Sequence, residues 1–346
     1  MYSKIIGTGS YLPAKVLTNF DLEKIVDTSH DWIVSRSGIV ERHIAADNEM
    51  TSDLALQASL KAIEAAGIGS DQIDLVVVAT TTPDQVFPST ACILQDKLGI
   101  RNNCAAFDMQ AVCGGFVYAM NTADLYIRSG QAKTALVVGA DNHSTPLVDR
   151  WRMFAGTVMG DGGCALLVTT DGGFAEVLAV NLTTVCEAEP VSDGGVPMFP
   201  PEATVGRPLD FVARNREFRE RLLAQGGTSA LLGIQKKLME MVDQTLAEAG
   251  ITLTDVTRVA FPHGRRDELC RGALSWLGLE MADTTWEFGA SIGHLGVSDQ
   301  FVALDHLLAT GALAAGDYVL LIGLGAGITM SCAALRIIDI PQEYAC

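Results

Sequence analysis

Basic residues are scarce in this sequence: Lys and Arg number 24 against 41 Asp and Glu, a formal net charge of -17. Such a field repels phosphates, which excludes a nucleic-acid partner. An anionic ligand would need local basic surface to overcome it. Two stretches offer that surface, "VARNREFRERLL" (212–223) and "HGRRDELCR" (263–271), and each reads equally as a solvated helix face. No apolar run is long and uninterrupted enough to span a membrane, so no membrane partner is expected. The opening "MYSKIIGTGSYLP" lacks the charged start, apolar centre and cleavage site of a secretory leader, and a cytoplasmic location is the expectation. The eight cysteines contain no CxxC pair. Metal-ligand spacing is therefore missing, no metal is expected, and a reducing compartment disfavours disulfides. Cys92, Cys104, Cys164 and Cys332 stand among apolar or small residues and read as core residues.

What is present is a large apolar content, 49% of 346 residues, enough for one large domain or two fused halves. Strand-like runs alternate with helix-like ones. "SDLALQASLKAIEAAG" (52–67) has helical spacing and a capping serine, "IDLVVVATTTP" (73–83) is a buried-strand run with a polar end, and "KTALVVGAD" (133–141) and "GDGGCALLVTT" (160–170) are further strands. The order then repeats. "LMEMVDQTLAEAG" (238–250), "VTRVAFPHG" (256–264), "DYVLLIGLGAG" (317–327) and "MSCAALRII" (330–338) match those four segments in turn. Two similar α/β halves imply a duplication, with two sheets packed through shared central helices. The expected division is residues 1–170 as the first half, 171–237 as an inserted cap and pocket segment, and 238–346 as the second half.

The repeat pairs two residues of chemical interest. Cys113, in "FDMQAVCGGFVYAM", stands 17 residues before Gly130, and His294 stands 17 residues before Gly311. If the halves are related by a pseudo-twofold, both sit at N-termini of central helices and face one pocket. A helix N-terminus presents partial positive charge and unpaired N–H groups, which favour a thiolate and can hold an oxyanion. Cys113 is on this reading either a nucleophile or a buried structural cysteine. Of the six histidines, His263 ends a strand after Pro262 and His294 lies at the second helix. A cysteine with two histidines at element ends suits covalent acyl chemistry. His30, His43, His143 and His306 read as surface or hydrogen-bonding residues.

These residues resemble the thiolase superfamily, and within it the β-ketoacyl-acyl-carrier-protein synthase III family. The motifs that carry the resemblance are "HDWIVSRSGIVERHIA" (30–45), "VFPSTACILQDKLGI" (86–100), "AVCGGF" (111–116), "GDGGCALLV" (160–168), "PHGRRD" (262–267) and "GLGAGI" (323–328), in family order over nearly the whole chain. The resemblance implies a thiolase-like fold, two duplicated halves in a five-layered αβαβα arrangement. It implies Cys113 as acyl-accepting nucleophile and His263 as the family histidine. Trp32 and Arg36 match positions that hold the nucleotide end of coenzyme A, with Arg150 or Arg152 near a further coenzyme position. Phe87 matches a residue that reaches into a partner subunit's acyl pocket, which implies a homodimer. Gly325, in the "GLGAG" loop, falls where backbone N–H groups hold the oxyanion.

Two departures from the family pattern redirect the expected chemistry. His294 replaces an asparagine that normally completes a Cys-His-Asn set, and "PHGRRD" replaces "PHQAN". An imidazole takes up a proton, which an asparagine amide cannot. The altered pair resembles the acyltransferases of antibiotic pathways, which move an acyl group to a sugar or aminocyclitol without forming a carbon–carbon bond. The expectation is therefore acyl transfer from a coenzyme A or phosphopantetheine carrier-protein thioester to a hydroxyl or amine, with no permanently bound cofactor. Cys113, His263 and His294 are the catalytic candidates; Trp32, Arg36, Phe87, Arg152 and Gly325 are the substrate-binding ones. The alternative is a decarboxylating synthase that makes a β-ketoacyl product. A non-catalytic priming partner is a third class, which the intact "AVCGGF" disfavours. Asp299 is expected as a surface or capping carboxylate rather than an orienting partner of His294. Residues 186–225 shape the pocket on this reading, and Met153, Met159, Met198 and Met330 either line it or belong to the core.

Overall fold

Every residue of the strand Leu75–Ala79 is buried. A strand apolar on both faces belongs inside a sheet covered on both sides, and that is its place in the computed structural model, which describes residues 2–144, 149–153, 158–188, 190, 210–224 and 229–344. The strands are β1 (Lys4–Tyr11), β2 (Lys15–Thr18), β3 (Glu41–Ile44), β4 (Leu75–Ala79), β5 (Ala105–Met109), β6 (Ala135–Asp141), β7 (Gly162–Thr169), β8 (Ala175–Thr184), β9 (Val256–Ala260), β10 (Tyr318–Gly325) and β11 (Thr329–Ile337). The helices that matter for the site are α1 (His30–Ser37), α2 (Thr51–Ala66), α3 (Gly115–Arg128), α4 (Phe211–Ala224), α5 (Ser229–Ala249), α6 (Trp286–Ile292) and α7 (Asp299–Ala309).

The main sheet runs β5-β4-β6-β7-β1-β8-β11-β10-β9. Its two ends mirror each other. β4 lies parallel to β6 and β6 antiparallel to β7, just as β9 lies parallel to β10 and β10 antiparallel to β11. Thr284 forms a parallel bridge to Val259 where β5 flanks β4 in the first half. The duplication read from the sequence is thus present in the strand order. One detail differs from the expectation of two separate sheets. β1 and β8 meet through Lys4↔Glu176 and Ile5↔Ala175, so hydrogen bonding is continuous across the junction. Two inner edges that face each other satisfy their backbone groups in this way.

The core lies in three apolar clusters: one under each outer helix layer, and a central one that packs the middle helices against the strands on both sides. α2 covers one outer face over β1, β7 and β6, its Ala55, Ala58 and Ala62 sharing an apolar cluster with Leu136 and Val138 of β6 and Ala165 and Leu167 of β7. α5 covers the other over β8 and β11, its Leu238, Met241 and Val242 sharing an apolar cluster with Cys332 and Ala334 of β11. Between them α3 and α7 share one cluster, in which the Phe116 and Phe301 rings stand 4.0 Å apart. The thiolase-like αβαβα order expected from the family resemblance is the observed one.

Local departures have local causes. α2 starts at Thr51 rather than on a serine cap: Asp53 accepts the Met50 N–H instead. The segment read as an insertion begins with β8, which pairs along β11, so its first residues are core sheet. α5 begins at Ser229, upstream of the repeat match at 238. Met198 and most of 186–225 lie outside the described residues. No helix among the described residues is long and apolar enough to cross a membrane.

Candidate active site

The turn before α3 is held in an uncommon backbone state. Val112 has φ +50°, which costs energy for a β-branched residue, and one tight turn over Val112–Gly114 leads into α3 at Gly115. Cys113 sits in that turn, buried, at the N-terminal end of the helix.

His294 reaches the same place from the second half. Gly293, with φ +83°, ends α6, and His294 is pinned by its backbone to Val158 and Gly160, with N–H to Val158 O at 2.8 Å and Gly160 N–H to its own carbonyl at 2.9 Å. Its Nε2 lies 3.1 Å from Cys113 Sγ. The repeat-based pairing of Cys113 with His294 therefore corresponds to a direct contact.

Asp299 is where the expectation fails. It is fully buried at the first position of α7 and is no surface carboxylate. Its Oδ2 accepts from His294 Nδ1 at 2.5 Å and from the His263 backbone N–H at 2.6 Å, while Oδ1 accepts from the Leu295 N–H at 2.7 Å. The tight turn Gly296–Ser298 between His294 and α7 folds the carboxylate back onto the ring. Burial alone would lower the pKa of His294, but the charges of Asp299 and then Cys113, with their hydrogen bonds, hold it well above the ordinary 6.5. Burial likewise works to raise Asp299, and His294 and His263 overcome it, holding the carboxyl far below the usual range. A carboxylate on Nδ1 fixes the tautomer and leaves Nε2 facing sulfur.

His263 lies in the loop that follows β9 and is also buried. Its Nδ1 lies 3.3 Å from Asp299 Oδ1 without making a hydrogen bond, and its ring meets Phe288 edge-on, centroids 6.0 Å apart. Asp299 thus stands between two histidines, one of which touches Cys113.

The polar end of "ATTTP" has its own partner. Thr80 Oγ1 and the N–H groups of Thr81 and Thr82 all donate to Asp141 Oδ1, at 3.1, 2.7 and 3.1 Å. Asp141 Oδ2 accepts from the Val297 N–H at 3.0 Å. The strand ends of the first half thereby anchor the loop that carries His294.

Of the substrate-binding candidates, Trp32, Arg36, Phe87 and Arg152 are exposed, unlike this buried centre, and Gly325 adjoins it. Trp32 and Arg36 are exposed on α1. Arg36 lines a groove of about 470 Å³ with Gly38, Arg266, Cys270 and Arg271. Within the basic stretch there, Arg265 and Arg271 pair with Asp267 at 2.8 and 2.6 Å, and Arg265 donates to the Arg36 carbonyl at 3.1 Å. The other basic stretch forms α4, which has no buried residue. Of the two arginines near the further coenzyme position, Arg150 is buried on Asp161 at 2.9 Å, so its charge is used internally, whereas Arg152 is exposed. Phe87 is 81% exposed beside Val86 at 86%. Gly325 ends β10 against the turn that carries Cys113: a Cβ there would lie 2.8 Å from Ala111 O. Met159 and Met330 are core residues and Met153 is half-buried. Cys104, Cys164 and Cys332 are buried as expected, but Cys92 is exposed, because the helix Thr90–Lys97 turns that position to solvent.

Residues 107–185 match the family profile described as 3-oxoacyl-[acyl-carrier-protein (ACP)] synthase III, and residues 246–337 match that of its C-terminal region. Fold and profile together define a transferase of the thiolase superfamily. A β-ketoacyl-[acyl-carrier-protein] synthase III of Xanthomonas campestris pv. campestris (strain 8004) is 41% identical over 338 residues, 97% of this chain and 98% of the relative. The chain belongs to the β-ketoacyl-[acyl-carrier-protein] synthase III family. Among solved structures, the acyltransferase ChlB3 superposes with a TM-score of 0.90 at 36% identity over 99% of each chain. The 3-oxoacyl-[acyl-carrier-protein] synthase III of Aquifex aeolicus VF5 does so with a TM-score of 0.77 at 32% identity, over 96% of this chain and 99% of that one.

Proposed function

We propose that this protein is an acyltransferase that carries an acyl group on Cys113 and delivers it to a hydroxyl or amine, without decarboxylative condensation. The observation that supports this reading is the buried line from Cys113 Sγ through His294 to Asp299. In the first step the Cys113 sulfur attacks the thioester carbonyl of a coenzyme A or carrier-protein donor. The donor's C–S bond breaks, and its thiolate leaves with the proton held on His294 Nε2. Once the donor thiolate has taken that proton, the ring is neutral and able to act as a base. In the second step an acceptor O–H or N–H gives its proton to Nε2 and attacks the acyl carbon, and the Cys113–acyl bond breaks. Asp299 stabilises the imidazolium in both steps. An asparagine at 294 would have no proton to exchange.

The acceptor class we favour is a sugar or aminocyclitol of secondary metabolism, from the resemblance of the altered His294 and "PHGRRD" positions to antibiotic-pathway acyltransferases; the likeness to the acyltransferase ChlB3 supports acyl transfer itself. Arg36 and Trp32 serve the nucleotide end of the donor, the Gly325 backbone serves the oxyanion, and Phe87 belongs to a homodimer contact. A second reading has its own support: many relatives are named as condensing synthases, and a second buried histidine, His263, lies by Asp299. One experiment separates the two. Wild type and His294→Asn are given an acyl thioester with malonyl carrier protein, and acyl-Cys113 mass and carbon dioxide are followed. The acyltransferase reading expects acyl-Cys113 in both proteins, no carbon dioxide from wild type, and transfer to alcohols or amines slowed by roughly 10²–10⁴-fold in the variant. Carbon dioxide and a β-ketoacyl product from wild type would establish the condensing enzyme instead.

A further inference from the structure

Gln300 follows Asp299 on α7 and is fully buried. Its Nε2 lies 3.2 Å from the carbonyl oxygen of Cys113 and 3.2 Å from that of Ile322 in β10. Both partners are acceptors, so the amide nitrogen is the group that faces them. The other end of the amide, Oε1, is buried with no hydrogen-bond partner among the described residues. A buried acceptor without a donor is costly, and an apolar side chain of similar shape avoids that cost. Stability alone therefore does not account for a glutamine here; what its nitrogen holds does.

The nitrogen holds the nucleophile turn. Three successive contacts tie carbonyls of that turn to side chains of the second half. Thr329 Oγ1 donates to Ala111 O at 3.0 Å, Gln300 Nε2 to Cys113 O, and Ser331 Oγ to Gly114 O at 3.3 Å. Gln300 alone of the three also grips the backbone of β10 by a side-chain bond, at Ile322. Immediately beyond, Gly323 presses on the turn: a Cβ there would lie 2.6 Å from the Gly114 Cα. Thus one amide sets the spacing between the turn that carries Cys113 and the strand that ends at Gly325. Because Cys113 C=O and Gly114 N–H share a rigid peptide plane, fixing the carbonyl also fixes the direction of that N–H.

We infer that Gln300 is a positioning residue for acyl transfer. It holds the nucleophile turn and the end of β10 at the separation that lets backbone N–H groups from both bind the acyl oxygen as negative charge develops on it. This inference rests on the reading of Cys113 as the nucleophile. It assigns α7 a double task from adjacent residues, with Asp299 orienting the histidine and Gln300 orienting the backbone around the sulfur.

The test compares two reactions of the same sulfur. Attack on p-nitrophenyl butyrate passes through an oxyanion; alkylation by iodoacetamide does not. Wild type, Gln300→Leu and Gln300→Met are assayed with both reagents across pH, with the adduct on Cys113 located by mass spectrometry. Removing a whole oxyanion donor costs about 10²–10³-fold in rate; displacing one is expected to slow acylation by about 10–100-fold, mostly in the rate constant rather than in KM. Alkylation should keep its rate within about twofold and its pH profile unchanged, since the Cys113–His294 pair is intact. Acylation by both variants within threefold of wild type overturns the inference. So does an equal fall in both reactions, which would mark Gln300 as a purely structural residue. Wild-type Cys113 inert to both reagents overturns the nucleophile reading itself, and this inference with it, whereas the other two outcomes leave that reading standing.

Discussion

The Asp299 carboxylate meets His294 at Nδ1, 2.5 Å away, on the opposite side of the ring from Cys113. A single buried carboxylate thereby sits behind the ring, across from the sulfur. The same carboxylate takes the backbone N–H groups of His263 and Leu295, so the loop and the ring are fixed by one group.

Replacing that group without changing its shape isolates its charge. Asp299→Asn should slow transfer from acyl-Cys113 to an acceptor by roughly 10²–10⁴-fold, because the wrong tautomer is favoured and the imidazolium loses its partner. Folding should persist at reduced stability, since an amide fills the same volume and its single oxygen keeps one of the two backbone N–H bonds, while its NH2 faces the other. Single-turnover transfer, monitored beside far-UV circular dichroism, checks both parts. Transfer at an unchanged rate would remove Asp299 from the mechanism.

The pair also fixes how stability depends on pH. His294 has a pKa raised on folding, so its contribution is complete below about 6.5, the unfolded value, and is lost as pH climbs through the folded value. Asp299 is depressed on folding, so its contribution is present above about 3.9 and is lost only as pH falls through a much lower folded value. The advantage of wild type over Asp299→Asn should therefore be greatest between about pH 4 and 6.5 and narrow on the alkaline side. Urea midpoints at a series of pH values measure it. An advantage that widens steadily above pH 7 contradicts the assigned directions.

The exposed tip at Val86 and Phe87 makes a separate expectation. A large apolar side chain this open to water is unusual unless another surface covers it. Phe87→Asp should shift a dimer to monomer in light scattering, weakening association by about 30-fold or more, as expected for an anchor worth about 2 kcal/mol. Fold and iodoacetamide labelling of Cys113 should be retained if the monomer is stable alone. A monomeric wild type, or a variant that dimerises as tightly, would reject Phe87 as the contact.

Much of the fold was legible because duplication writes itself twice. The segments ending at Gly67 and Gly250, and the apolar runs at 133–141 and 317–327, match in order and type, and the spacing before Gly130 and Gly311 placed Cys113 opposite His294. What escaped notice lacks periodicity. An aspartate opening a helix is an ordinary capping residue in sequence, and only the turn at Gly296–Ser298 directs Asp299 inward. Gln300 carries no motif; its role depends on Ile322 and Cys113, both far away in the chain. Thr80, Thr81 and Thr82 read as a strand's polar end because their common acceptor, Asp141, belongs to another strand. β8 opens the segment read as an inserted cap, ahead of most of its glycines and prolines, and has no matching run among the four repeated segments.

The mirrored strand order has a historical consequence. Two separate identical copies of a half-chain, paired about a twofold axis, must carry the same residue at every pair of equivalent positions. They could offer two cysteines or two histidines across the axis, but never one of each. Joining the copies into a single gene product, with β1 laid beside β8, removed that constraint. Position 113 and its mate at 294 were then at liberty to diverge into sulfur and imidazole, and an asymmetric reaction acquired an asymmetric site inside a scaffold that still has the outline of a dimer.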